Sequence, residues 1–162
     1  MNKLFKYALV LLLFILTSFF IVRKFKKSTI PEINMDGISL VDLEGKAIDN
    51  KQFLGKPLII NFWGTWCGPC REELPNFENA RKTYGDKIHI VVVSDESPET
   101  ISKFKSENSY DFFYARSLKP LHEFGLPSVP FTYFYSANGK LISKQKDALS
   151  QEELDRLIKK ML

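Results

Sequence analysis

"NFWGTWCGPCREELP", residues 61–75, carries both cysteines of this 162-residue chain, Cys67 and Cys70, with Gly68 and Pro69 between them. The run leading into it, "PLIINFW" (57–63), is short and apolar, the pattern of a strand buried on both faces. The run after it is charged and helix-compatible. A helix from near Cys67 to about Tyr84 places Leu74, Phe77 and Tyr84 on roughly one face. Two thiols therefore sit at the junction of a strand and a helix.

Such a pair has three uses. A zinc site needs about four ligands, and only His89 and His122 are available to join two thiolates. His89 stands between Ile88 and Ile90 in a strand pattern, and His122 lies in "LHEF", so the ligand count speaks against a metal. A purely structural disulfide closing so small a loop removes little chain entropy. Redox exchange fits the spacing. At a helix start the Cys67 sulfur faces unpaired N–H groups and the positive end of the dipole, which favour the attacking thiolate. Cys70 lies one turn on and resolves the mixed disulfide. Pro69 is tolerated in a first turn, where its missing N–H has no partner. Trp66 offers a substrate a flat apolar contact, whereas Trp63, inside the strand, reads as core.

Outward from the motif, "ISLVDLEGKAI" (38–48) reads as a hairpin through Glu44-Gly45, and "KIHIVVVS" (87–94) as a second buried strand. Ser97-Pro98 opens a capped helix, and "FTYFYSANGKLISK" (131–144) is a hairpin through Asn138-Gly139. "SQEELDRLIKKML" begins with a Ser150–Glu153 capping box and buries Leu154, Leu157, Ile158 and Met161. This order predicts a mixed sheet with helices on both faces.

The chain is basic, 23 Lys+Arg against 19 Asp+Glu, yet six of the basic residues precede Pro31, where there is no acid. The remainder is slightly acidic, which removes the support for a nucleic-acid partner. Residues 1–27 read as a membrane anchor with basic flanks and 28–37 as a linker, leaving 38–162 as the folded domain. Tyr7 to Val22 is free of charge, and the span reaches Leu4 if Lys6 snorkels. That helix covers about 24–29 Å. No small-x-small site follows it, so a retained anchor over residues 4–22 is expected rather than a cleaved signal. Two lysines precede the span and four basic residues follow it; the positive-inside rule taken alone leaves the domain in the cytoplasm.

"FWGTWCGPCREELP" with its βαβ surroundings resembles the thioredoxin superfamily, and more closely its membrane-anchored TlpA/ResA-like thiol–disulfide oxidoreductases. The resemblance covers Ile38 to the C-terminus. It implies a thioredoxin-like α/β fold, a central mixed sheet flanked by helices, with an N-terminal hairpin and a helix-and-strand insertion between Pro98 and Phe124. It implies Cys67 as nucleophile and Cys70 as resolving thiol, with Trp66, Gly68, Pro69, Val129 and a cis Pro130 receiving the substrate chain. Pro127 is a nearby rival for the cis position, and Pro75 matches the family's helix proline. One departure matters. Thioredoxins carry a buried aspartate six residues before the first cysteine, where Asn61 stands here. In the TlpA/ResA-like group a glutamate three residues beyond the second cysteine is associated with the proton relay, and Glu73 occupies that place; Glu72 points elsewhere.

Gly-Pro between the cysteines is the dipeptide of reducing thioredoxins, near −270 mV against about −120 mV for a strong oxidant, a gap of about 7 kcal/mol. The dipeptide tilts the expectation to a reductase; the resemblance implies disulfides in exported proteins as its substrates, apocytochrome c being the familiar client class. With no third cysteine, reduction must come from a partner, which the resemblance implies is a membrane thiol donor. The dithiol is itself the redox group, so no cofactor is expected. A peroxidase would need P-x-x-x-T-x-x-C, but position 60 is Ile and Thr65 lies two residues before Cys67. A tethered cytoplasmic thioredoxin, a disulfide-forming oxidase and a non-catalytic binding module are the remaining alternatives.

Overall fold

The chain is described from a computed structural model at Tyr7, residues 11–15, 17–18 and 30–162. Its elements in order are β1 (Leu40–Val41), β2 (Leu58–Phe62), α1 (Gly68–Tyr84), β3 (His89–Ser94), α2 (Pro98–Glu107), β4 (Phe113–Ser117), β5 (Phe131–Tyr135), β6 (Leu141–Lys146) and α3 (Gln151–Lys159). They build one six-stranded sheet in the order β1-β4-β3-β2-β5-β6. β2, β3 and β4 are parallel neighbours, while β5 runs antiparallel to β2, and β1 and β6 form antiparallel edges.

Every residue of β2 is buried, as its unbroken apolar run requires of a central strand. Alternate residues feed two cores. Ile59 and Trp63 join Ile90, Val92 and Phe134 on the face covered by Leu74 and Phe77 of α1, Ile101 of α2, and Leu154 and Ile158 of α3. Leu58, Ile60 and Phe62 join Val91, Val93, Tyr133 and Tyr135 on the other face.

The sheet is flanked by helices, but unevenly. Within residues 30–162 the α-helices α1, α2 and α3 all lie on the first face, whereas helices were expected on both. The crossovers β2–α1–β3 and β3–α2–β4 step across the sheet in the same direction, and right-handed crossovers made in one direction return their helices to one face. The second face is closed by one-turn 3-10 segments, Asn50–Phe53 and Leu121–Phe124, and by residues 30–38.

That last cover corrects the linker. Ile33 and Met35 are buried, and the hydroxyls of Tyr133 and Tyr135 donate to the carbonyls of Pro31 (3.0 Å) and Ile33 (2.7 Å). The hairpin expected over 38–48 is present but short: Val41 bridges Ala47, with Asp42 N–H donating to the Lys46 carbonyl and Ile48 N–H to the Leu40 carbonyl (2.9 Å each), while the other edge of β1 pairs with β4. The second hairpin and both helix caps stand as read, including the reciprocal Ser150–Glu153 box. The anchor expected over residues 4–22 lies mostly outside the described residues. Of it, Tyr7, 11–15 and 17–18 are helical and exposed, and no helix among the described residues is long and apolar enough to cross a membrane.

Candidate active site

The turn Gly64–Cys67 leaves the top of the β2 run and is closed by the Cys67 N–H donating to the Gly64 carbonyl at 3.1 Å. Cys67 is the N-cap of α1: its extended backbone precedes Gly68, and its sulfur accepts from the Cys70 N–H at 3.2 Å. A cysteine here does what Ser or Asp does at other helix starts, and the same donor that caps the helix stabilises a thiolate. Cys67 and Cys70 are joined as a disulfide and are 4% and 0% exposed.

Across from them runs the loop 125–130. Val129–Pro130 is a cis peptide bond, and the Val129 carbonyl oxygen lies 3.6 Å from the Cys67 sulfur. Pro130 is buried and its carbonyl accepts from Asp147, while Val129 is half-buried. Among the described residues nothing engages the Val129 N–H. Pro127, the rival, is exposed. Gly68 and Pro69 form the exposed first turn of α1, and Trp66 stands 71% exposed beside Cys67. A Cβ on Gly64 would meet the Trp66 indole at 2.8 Å, so the missing side chain at 64 makes room for that ring.

Beneath the pair, one turn beyond Cys70, Glu73 is buried at 1% exposure, whereas Glu72 is exposed. Its two oxygens accept from Asn61 Nδ2 and from the Leu149 N–H, each at 2.8 Å. Both donors favour the carboxylate, but loss of water around the group outweighs them and raises its pKa from 4.5 to about 7. Asn61 also donates to Thr132 Oγ1, its cross-strand partner on β5. The position that holds an ionisable aspartate in thioredoxins thus holds an amide that supports the glutamate. Thr132 and Leu149 were not foreseen from sequence; they lie 71 and 76 residues from their partners.

The two histidines stay apart from this cluster. His89 packs edge-on against Phe53 at 5.6 Å, and His122 is exposed in the 121–124 turn. Among the described residues no three His, Cys, Asp or Glu side chains gather to hold a metal.

A vicinal thiol pair heading a helix, faced by a cis-proline loop and underlain by a titratable carboxyl, on a mixed sheet of this order, defines a thioredoxin-like thiol–disulfide oxidoreductase. Comparison with known proteins agrees. The AhpC/TSA family matches residues 27–146, and the thiol-disulfide oxidoreductase ResA of Bacillus cereus is 31% identical over 143 residues, 85% of this chain and 83% of that protein. The chain belongs to the AhpC/TSA family and, within it, with the ResA thiol–disulfide oxidoreductases. The fold is shared with a secreted Mycobacterium tuberculosis disulfide oxidoreductase homologous to E. coli DsbE (TM-score 0.65, 22% identity, 75% of this chain and 94% of that one). StoA from Bacillus subtilis has it too (TM-score 0.60, 22% identity, 74% and 93%).

Proposed function

We propose that this enzyme reduces disulfides in exported polypeptides, with Cys67 as nucleophile, Cys70 as resolving thiol and Glu73 as the proton relay. The observation that carries the reading is the seat of the Cys67 sulfur, between the Cys70 N–H in the first turn of α1 and the Val129 carbonyl. A substrate strand laid along Val129, whose N–H has no partner among the described residues, brings its disulfide to that sulfur, with Trp66 beside it.

In the reduced enzyme the Cys67 thiolate attacks one substrate sulfur. A mixed disulfide forms and the other substrate sulfur leaves as thiolate. Cys70 gives its proton to Glu73, a carboxyl that titrates near neutral pH, and then attacks the Cys67 sulfur. The second substrate thiolate leaves and the Cys67–Cys70 disulfide remains. Two electrons have passed to the substrate, and a membrane thiol donor must restore the dithiol.

An anchor over residues 4–22 would hold the domain beside that donor, on the outer side of the membrane. The charges flanking the apolar run favour a second reading, a tethered cytoplasmic thioredoxin. By resemblance, apocytochrome c is the client class. Two experiments test the reading. Reduction of insulin disulfides in the presence of dithiothreitol should require both Cys67 and Cys70, and wild-type protein without activity would overturn the enzymatic assignment. In intact cells a membrane-impermeant maleimide should label Cys67; labelling only after lysis would establish the cytoplasmic reading.

A further inference from the structure

Glu96 stands just past β3, 31 residues beyond Thr65 and outside the cysteine motif, yet it grips the turn that presents Cys67. One carboxylate oxygen accepts from the Thr65 backbone N–H at 2.6 Å and from the Ser94 hydroxyl at 3.1 Å; the other accepts from the Thr65 hydroxyl at 2.7 Å. Charge-assisted bonds of this kind are short and about twice as strong as neutral ones. The gripping residue is itself fixed. Its N–H donates to Ser94 Oγ, and its carbonyl accepts from Arg116 Nε of β4 at 3.0 Å. Its neighbour Asp95 accepts from the Leu121 N–H at 2.8 Å, at the start of the segment that runs on to Pro130.

Thr65 is the second residue of the four-residue turn Gly64–Cys67, so fixing its N–H and hydroxyl fixes the plane from which Trp66 and Cys67 depart. The adjacent Asp95 and Glu96 thus tie the cysteine turn and the start of the 121–124 turn, which leads on to the proline loop, to the end of one buried strand. We propose that Glu96 is a positioning residue of the dithiol reaction: through Thr65 it holds the Cys67 sulfur against the Val129 carbonyl and Trp66 over the substrate path. The proposal rests on the exchange chemistry assigned above. It does not make Glu96 an acid or base, because its carboxylate meets Thr65 and Ser94 rather than sulfur.

The test uses the full chain and the variants Glu96→Ala, Glu96→Gln and Thr65→Val. Three quantities are read: insulin-reduction kcat and KM, the Cys67 thiol pKa from thiolate absorbance, and the folded fraction by circular dichroism. Gln keeps an oxygen for the Thr65 N–H and an NH2 for its hydroxyl, so Glu96→Gln should stay within about threefold of wild type. Glu96→Ala should lower kcat/KM about tenfold and raise the Cys67 pKa at an unchanged folded fraction, with Thr65→Val intermediate. If Glu96→Ala is incompletely folded, Thr65→Val carries the test, since it removes one hydroxyl at the same contact. Wild-type kcat/KM and thiol pKa in the folded alanine and valine variants would overturn the proposal while leaving the enzymatic assignment intact. Inactive wild-type protein would instead overturn the assignment on which it rests.

Discussion

Glu73 is the residue where burial and chemistry meet. Its pKa near 7 is raised above the ordinary 4.5, so between those values the folded protein binds a proton that the unfolded chain does not. The stability linked to this group is therefore fully present below pH 4.5 and is lost as pH rises through about 7, a change of about 3 kcal/mol. Urea unfolding from pH 4 to 8 should show that decline, and Glu73→Gln should flatten it. On the proposed relay role, the same ionisation supplies the base, so the resolving step should accelerate with rising pH through about 7. In Glu73→Gln that inflection should vanish and the step slow by about 10²–10⁴-fold, read by quenched-flow decay of the mixed disulfide. The two tryptophans should separate in the same way. Trp63→Ala opens the buried core and should cost about 3–5 kcal/mol in urea unfolding. Trp66→Ala, at an exposed ring, should stay within about 0.5 kcal/mol but raise KM for a protein disulfide. Cys67 and Cys70 were legible in sequence because they stand three residues apart at a helix start, and Glu73 through the family resemblance, three residues further along the same helix. Asn61–Thr132, Leu149–Glu73 and Thr65–Glu96 were not, because pairing across strands or loops leaves no local periodicity.

At the scale of elements, α1 and α3 act as one device. α3 packs Leu154 and Ile158 against the core shared with Leu74 and Phe77, and the residue just before its N-cap, Leu149, supplies an N–H to Glu73. Ser150 caps α3 with a reciprocal box. Ser150→Ala should cost about 1 kcal/mol and lower Tm by about 2–6 °C, measured by calorimetry. Because the cap adjoins Leu149, it should also raise the Glu73 pKa, moving the inflection of the resolving rate to higher pH. These helices were readable from caps and apolar stripes, which are local signals. β1 was not read at its true scale: a two-residue edge strand gains its identity from Ser117 and Arg116 opposite, not from its own sequence.

For the whole molecule, the second face of the sheet is a consequence of topology. With α1, α2 and α3 on one side, the other core needs a cover, and, among the described residues, 30–38 help provide it. The linker expectation missed this because Pro31, Asn34, Asp36 and Gly37 dominate the composition, hiding Ile33 and Met35, two apolar residues spaced at strand period. A chain beginning at residue 38 should therefore lose at least about 3 kcal/mol in urea unfolding relative to one beginning at residue 30, from two apolar side chains and two tyrosine acceptors. Equal stability would show the segment to be dispensable packing. The architecture as a whole brings three distant parts of the chain, the cysteine turn, the proline loop and the start of α3, to one sulfur pair. The most direct measurement is a trap of the exchange intermediate: reduced Cys70→Ala protein mixed with a disulfide-bonded polypeptide, quenched with acid and mapped by mass spectrometry. A mixed disulfide on Cys67 that accumulates in Cys70→Ala and is absent in Cys67→Ala is the expected result; no adduct at Cys67 would contradict the assignment of this pair as the site of exchange.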